Sequence, residues 1–199
     1  RQYALFGYNP NRYRRKAIDF LNLKEGDVVL DIACGTGLNF PYLQKAIGSR
    51  GKIIGVDITN AMLEQAKKRV ELRGWKNVKL IHHDVESYLF PKEVDAVLST
   101  FALGYLSGYD SLIKRVYDTL PIGGRFVELS FKEPKGRLAK KLLFRALRPF
   151  GNIEDDVNHH VWASVERHFD KIYFKEFYFG TTYIVVGEKT GSKMSRTPV

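Results

Sequence analysis

The sequence predicts an α/β protein built as a Rossmann-like doubly wound sheet, and three observations carry that prediction. The first is the run Val28-Val-Leu-Asp-Ile-Ala33, apolar and rich in β-branched residues, with the length of a parallel strand buried on both faces. It stops at Gly35-Thr-Gly37, and a helical pattern follows at once in Leu38, Tyr42, Leu43, Ala46 and Ile47. The second is another apolar strand, Lys52 to Val56, which ends in an acid, Asp57, roughly 20 residues beyond the glycines. The third is that strand-like and helix-like segments keep alternating as far as Phe131.

Two glycines let the backbone turn tightly and approach a ligand with no Cβ in the way, while the following helix offers unpaired N–H groups. An acid ending the second strand is placed to reach the two hydroxyls of a ribose lying over that turn. A dinucleotide site shares this plan, but its fingerprint has a third small residue three positions after the second glycine. Here that position is Phe40, and Asp31 lies inside the first strand. Asp31-x-x-x-Gly35-x-Gly37 resembles motif I of the class I S-adenosylmethionine (SAM)-dependent methyltransferases, and Gly55-Val-Asp57 resembles their second motif. The resemblance implies a sheet of seven strands with the last one antiparallel. It also implies SAM as cofactor, with S-adenosylhomocysteine as product.

Bulk properties narrow the class of protein. The 199 residues are enough for one domain with a real core, and 44% hydrophobic with 27% charged residues describes a globular chain. No apolar run reaches the ~18 residues that cross a bilayer. The single cysteine, Cys34, rules out an internal disulfide and any cysteine-cluster metal site, and its place in the glycine turn points to packing or ligand contact. A reducing, cytoplasmic setting is expected, and no metal is expected. The net charge of +10 attracts nucleic acid, anionic lipid or acidic small molecules without choosing among them.

Taken in order, residues 1–23 form an expected N-terminal cap segment. Ala17, Ile18, Leu21 and Leu23 mark the buried face of a helix, which carries the basic run Arg12-Tyr-Arg-Arg-Lys16. Two readings of that segment stand: a solvated basic face, or a cover in which Tyr8 or Tyr13 closes over a cofactor. The methyltransferase domain is expected over 24–189. After the two motif strands, an amphipathic helix is predicted over Asn60–Arg73, ended by Gly74, and then a third strand over Val78–His82. A fourth strand is predicted over Val94–Ser99, continuing into the mostly apolar stretch up to Leu106. A helix over Leu112–Leu120, the turn Pro121-Ile-Gly-Gly124 and a fifth strand over Arg125–Phe131 follow. Residues 132–158 read as an insertion holding a basic amphipathic helix at 137–150, with Phe144 among its basic residues. Such a helix either caps the core or lies at an anionic membrane surface, and both can hold together. Trp162 to Phe169 reads as a last helix, Lys171–Phe179 and Thr181–Glu188 as two closing strands, and 190–199 as a flexible tail.

The resemblance, which covers about residues 24 to 188, assigns roles by position. Gly35 and Gly37 admit the methionine part, Asp31 positions its amino group, and Ala33, Cys34 and Thr36 complete the turn. Asp57 takes the ribose and Asp84 the adenine amino group, beside Val85, with Ile58 and Met62 packing on the ring. Thr100, Phe101 and Leu103 flank the methyl. Tyr105, His159, His160 and Tyr178 are candidate bases should the acceptor be a carbon or a hydroxyl. The Asn/Asp-Pro-Pro-Tyr/Phe motif that holds planar amines in many DNA and some RNA methyltransferases is absent. Val28–Phe40, the Leu-Pro-x-Gly-Gly turn and the apolar acceptor strand look most like the quinone-biosynthesis C-methyltransferases and the small phospholipid N-methyltransferases. The expected acceptor is therefore a small, lipid-like or aromatic molecule, at or near the inner face of a membrane. An RNA methyltransferase and a non-catalytic SAM-binding interaction protein are the alternatives.

Overall fold

A computed structural model describes residues 8–132, 160–178 and 180–192. The expected basic helix at 137–150, nearly all of the surrounding insertion, His159 and the end of the tail lie outside the described residues. Seven strands form one sheet: β1 Val28–Ile32, β2 Lys52–Asp57, β3 Val78–His82, β4 Ala96–Thr100, β5 Arg125–Phe131, β6 Lys171–Phe177 and β7 Thr182–Glu188. Their spatial order is β3-β2-β1-β4-β5-β7-β6. The first five strands pair in parallel, and β7 runs antiparallel to β5 on one side and β6 on the other. The strand order reverses direction between β1 and β4. In an open α/β sheet that junction opens a crevice at the carboxyl ends of the strands.

β1, β4 and the middle of β5 are buried on both faces, as their largely apolar runs suggest, and the burial takes in the polar Asp31, Ser99 and Glu128 as well. Helices α1 (Pro10–Phe20), α2 (Phe40–Ile47) and α3 (Asn60–Arg73) cover one face. Their core includes Ala17, Ile18, Leu43, Ile53, Leu98 and Val127. Helices α4 (Tyr109–Thr119) and α5 (Val161–His168) cover the other, over Leu30, Val56, Leu112, Val116 and Phe126. The two are clasped where Asp110 Oδ1 accepts from Ser164 Oγ at 2.5 Å, Arg167 Nη1 at 2.7 Å and His168 Nε2 at 3.1 Å.

Some boundaries moved for identifiable reasons. β4 begins at Ala96, because Asp95 turns its carboxylate back to accept the Val28 N–H at 2.8 Å. α4 begins at Tyr109, a turn before its apolar period shows, with Asp110 in the first turn where the helix dipole favours an acid. β6 ends at Phe177, since Tyr178 takes φ 48° in the hairpin.

Phe40, fully buried, explains two glycines at once. A Cβ on Gly37 would lie 2.6 Å from the Phe40 ring, and one on Gly55 would lie 2.9 Å from that ring and from Cys34 Sγ. The aromatic thus occupies the room that both glycines leave. Gly55→Ala is expected to lower stability by about 1–3 kcal/mol through overpacking, read as a lower denaturant midpoint at unchanged m-value.

Candidate functional site

β1 delivers its chain to the crevice through a sharp exit. Ala33 sits at φ 53°, an uncommon conformation for a residue with a Cβ, and Gly35 and Gly37 follow at φ 56° and 72°. Cys34 N–H ties the turn to Val56 O at 3.0 Å, and Arg69 Nε, from α3, donates to Thr36 O at 3.0 Å. Cys34 itself is buried and its thiol is pushed well up by burial and by Asp31 and Asp57, so it packs as a neutral thiol.

Asp57, at the end of β2, is the anchor of this turn. Its Oδ2 accepts the Gly35 N–H at 2.7 Å and its Oδ1 accepts the Thr59 N–H at 2.8 Å. Each carboxylate oxygen has a second lone pair, so the acid can hold the glycine turn and a pair of hydroxyls together. Beside it, Ile58 and Met62 are 64% and 44% exposed, large apolar side chains that the core does not take up. Met62 Sδ lies 3.6 Å from where a Gly35 Cβ would be, so the Met62 side chain borders the turn. His82 Nε2, 2.9 Å from Ile58 O, links this wall to β3. At the far end Asp84 is half-buried and its Oδ1 accepts the Glu86 N–H at 2.9 Å. The Val85 side chain is buried in the core, so toward a ligand this residue offers only its main chain.

Asp31 is fully buried beneath the turn. Burial pushes its pKa from 3.8 up to about 7, against the opposing pull of Asn39 and the Arg14 charge. Asn39 Nδ2 donates to both Asp31 oxygens at 3.0 Å and to Thr100 Oγ1 at 3.1 Å. Asn39 stands at the N-cap of α2, yet its side chain makes no cap bond and serves this network instead. Arg14 Nη1 donates to Asn39 Oδ1 at 3.0 Å and also to Thr100 Oγ1. Neither Asn39 nor Arg14 was expected here. Arg14 belongs to a run that reads as solvated or as flanking a tyrosine cover, and only the packing of α1 turns it inward. Asn39 did leave a signal, a polar residue between Leu38 and Phe40 at the start of an apolar helix.

The β4 side of the crevice is aromatic. Phe101 leaves the strand at φ 60°, its ring 4.8 Å from Phe131, which lies 5.9 Å from Tyr8. Tyr8 in turn stacks on Tyr13 at 5.2 Å and meets the edge of Tyr178 at 5.0 Å. Tyr8 and Tyr13 therefore build this wall beyond the ends of β5 and β7. Leu103 corrects the expectation that it flanks the methyl: it is fully buried in the layer beneath α4. The three described candidate bases are not brought together. Tyr178 packs with the α1 layer, Tyr105 is 49% exposed after β4, and His160 is exposed with its ring 4.6 Å from Trp162 on the α5 side. Among the described residues no cluster of His, Cys, Asp and Glu could hold a metal ion, and no helix is long and apolar enough to cross a membrane.

A family model described as a methyltransferase domain matches residues 29–124. The demethylmenaquinone methyltransferase of Staphylococcus saprophyticus is 33% identical over 146 residues, which make up 71% of this chain and 62% of that protein. Among solved structures, a SAM-dependent methyltransferase from Aquifex aeolicus matches with a TM-score of 0.62 at 20% identity, covering 94% of this chain and 95% of its own. Phosphoethanolamine N-methyltransferase 2 of Haemonchus contortus, in complex with phosphomonomethylethanolamine and S-adenosylhomocysteine, matches with a TM-score of 0.71 at 15% identity, over 89% of this chain and 52% of its own. Sheet order, motif and relationship together support a class I SAM-dependent methyltransferase domain, and SAM is the cofactor of that class. Within the class its curated relatives include quinone-biosynthesis C-methyltransferases, of whose length the chain spans 53% to 62% in the demethylmenaquinone enzymes.

Proposed function

We propose that the domain binds SAM across the carboxyl ends of β1, β2 and β3 and methylates a small aromatic or lipid-like acceptor of the quinone-precursor kind at the end of β4. The observation that carries this reading is the glycine turn bonded to Asp57 and bordered by Met62, with Ile58 exposed next to the acid. A donor-rich turn, an acid and an exposed apolar face lie side by side, matching the polar ribose and flat adenine of one ligand. In this reading Asp84 accepts from the adenine amino group and Asp31 receives the methionine ammonium.

When bound, SAM supplies a methyl already activated by its sulfonium. The protein's share is alignment and exclusion of water. Thr100 and Phe101 line the path between methyl and acceptor, and the aromatic wall from Phe101 through Phe131 and Tyr8 to Tyr178 offers flat apolar surface to an aromatic acceptor. The curated quinone-biosynthesis relatives support that acceptor class. A carbon acceptor must also lose a proton, for which Tyr178, next to the wall, is the best-placed candidate. The phospholipid amine is the second reading, supported by the fold match to a phosphoethanolamine enzyme. Incubation with methyl-labelled SAM and separate quinone-precursor, phospholipid and RNA fractions tests this. Label in the quinone-precursor fraction is expected. Label confined to RNA, or no transfer to any fraction despite SAM binding, overturns the acceptor assignment.

A further inference from the structure

We propose that Arg14, carried in by α1, is a positioning residue for the methyl donor: through Asn39 it fixes Asp31 and keeps that acid ready to receive the donor's ammonium group. This rests on the SAM reading of the site and assigns a role to an element outside the glycine turn.

The geometry leaves Asn39 one orientation. Arg14 Nη1 donates to its Oδ1 at 3.0 Å, so its Nδ2 faces Asp31, meeting both carboxylate oxygens at 3.0 Å. A reversed amide would set NH2 against the guanidinium and carbonyl oxygen against the carboxylate, two repulsions in place of three bonds. Thr100 Oγ1 accepts from both side chains, which ties the same network to the end of β4 where the methyl path begins. The guanidinium is itself held, its carbon 5.1 Å above the Phe101 ring. A lysine could carry the charge, but not the planar fork that spans two acceptors and stacks on an aromatic.

The groups facing Asp31 come from five places in the fold. Arg14 on α1 favours its ionised form by charge, and Asn39 at α2 does so by hydrogen bonding. Asp57 on β2 opposes ionisation, while the neutral Cys34 thiol after β1 and Thr100 on β4 add no charge. Burial opposes ionisation most strongly, and Arg14 is the cation that works against it. An ionised carboxylate is the form that accepts an ammonium, so donor binding must displace the Asp31 proton wherever one is present. Affinity should therefore rise with pH until Asp31 is ionised in the free protein. Removing the Arg14 charge moves that midpoint upward.

The test is calorimetric SAM affinity as a function of pH for the parent, Arg14→Lys and Arg14→Met, with thermal melting and circular dichroism alongside. The donor's α-amino group titrates in the same region, near pH ~8 for a free amine, but identically with every variant, so differences between variants belong to the protein. Arg14→Met is expected to weaken binding about tenfold at neutral pH and to shift the midpoint to higher pH. Arg14→Lys is expected to keep the parent's midpoint while losing part of the affinity. A parent that binds SAM, with Arg14→Met showing the same midpoint and affinity, overturns the inference and leaves the cofactor assignment intact. A uniform loss at every pH in both variants also overturns it, by reducing Arg14 to a packing role. A folded parent that binds no SAM at any pH defeats the cofactor reading itself. Should Arg14→Met fail to fold, Arg14→Gln takes its place, since it too removes the charge, and an unchanged midpoint and affinity in that variant overturns the inference.

Discussion

Asp57→Ala is expected to reduce SAM affinity at least tenfold while the far-ultraviolet circular dichroism stays that of the parent. Each charge-assisted hydrogen bond to a ribose hydroxyl contributes about 1.5–3 kcal/mol. The substitution also strips the Gly35 and Thr59 N–H groups of their acceptor, so the turn itself loosens. Asp57→Asn separates the two effects, since its amide oxygen can keep one backbone bond while the charge is lost. Calorimetry on both variants checks this. Unchanged affinity in Asp57→Ala would refute the ribose assignment, and tight NADH binding by the parent would refute SAM as the cofactor.

The second large effect is a stability change of opposite sign. Asp31 has a folded pKa of about 7, above its usual 3.8, chiefly because burial penalises the charge. A raised carboxyl pKa means that the group's favourable share of stability is complete below the unfolded value and is lost as pH climbs through the folded one. The free protein should therefore lose stability between about pH 4 and 7, at up to about 1.4 kcal/mol for every pH step of one within that window. Asp31→Asn is expected to raise the melting temperature of the free protein at pH ~8 and to leave it unchanged near pH ~4. The gain is smaller than the raised pKa alone implies, because an amide offers Asn39 one acceptor oxygen in place of two. The same variant is expected to bind SAM at least tenfold more weakly, having no charge for the ammonium. Melting curves at both pH values and calorimetry test the pair. A destabilised free protein at pH ~8 would show that the carboxylate is held comfortably and that burial is not the dominant force on it.

Much of the architecture was legible because its physics is local. Apolar runs rich in β-branched residues mark β1, β2 and β4 as strands covered on both faces, and a glycine turn followed by an acid-ended strand marks the crevice at their carboxyl ends. What the chain did not disclose depends on distance. Nothing near Arg14 in sequence says that it meets Thr100, 86 residues away, or that its side chain turns inward from a basic run. Nor does the apolar stretch after β4 reveal that Leu103 folds under α4 while Phe101 turns to the crevice, because at hydrophobic positions only the positive φ at Phe101 separates the two. Asn39 stands at the N-cap of α2, and only the packed structure shows its side chain serving Asp31 in place of a cap bond.

The strand order has a consequence for how this chain can assemble. β1 lies between β2 and β4, and its register with β4 joins Val29 to Ala96 and Ile32 to Ser99. The crevice is therefore a seam between an early half of the chain and a late one, closed only after a long loop has been drawn together. α1 lies across that seam. It begins the chain's described residues, yet it packs on β5, bonds Thr100 through Arg14, and receives Arg125 Nη1 on Phe20 O at 3.1 Å. During synthesis the first three strands emerge with one edge of β1 unpaired and the apolar face of α1 without its seat. The cofactor crevice comes into being together with the last long-range pairings, so a ligand that fits it binds the finished fold and draws assembly to completion by mass action.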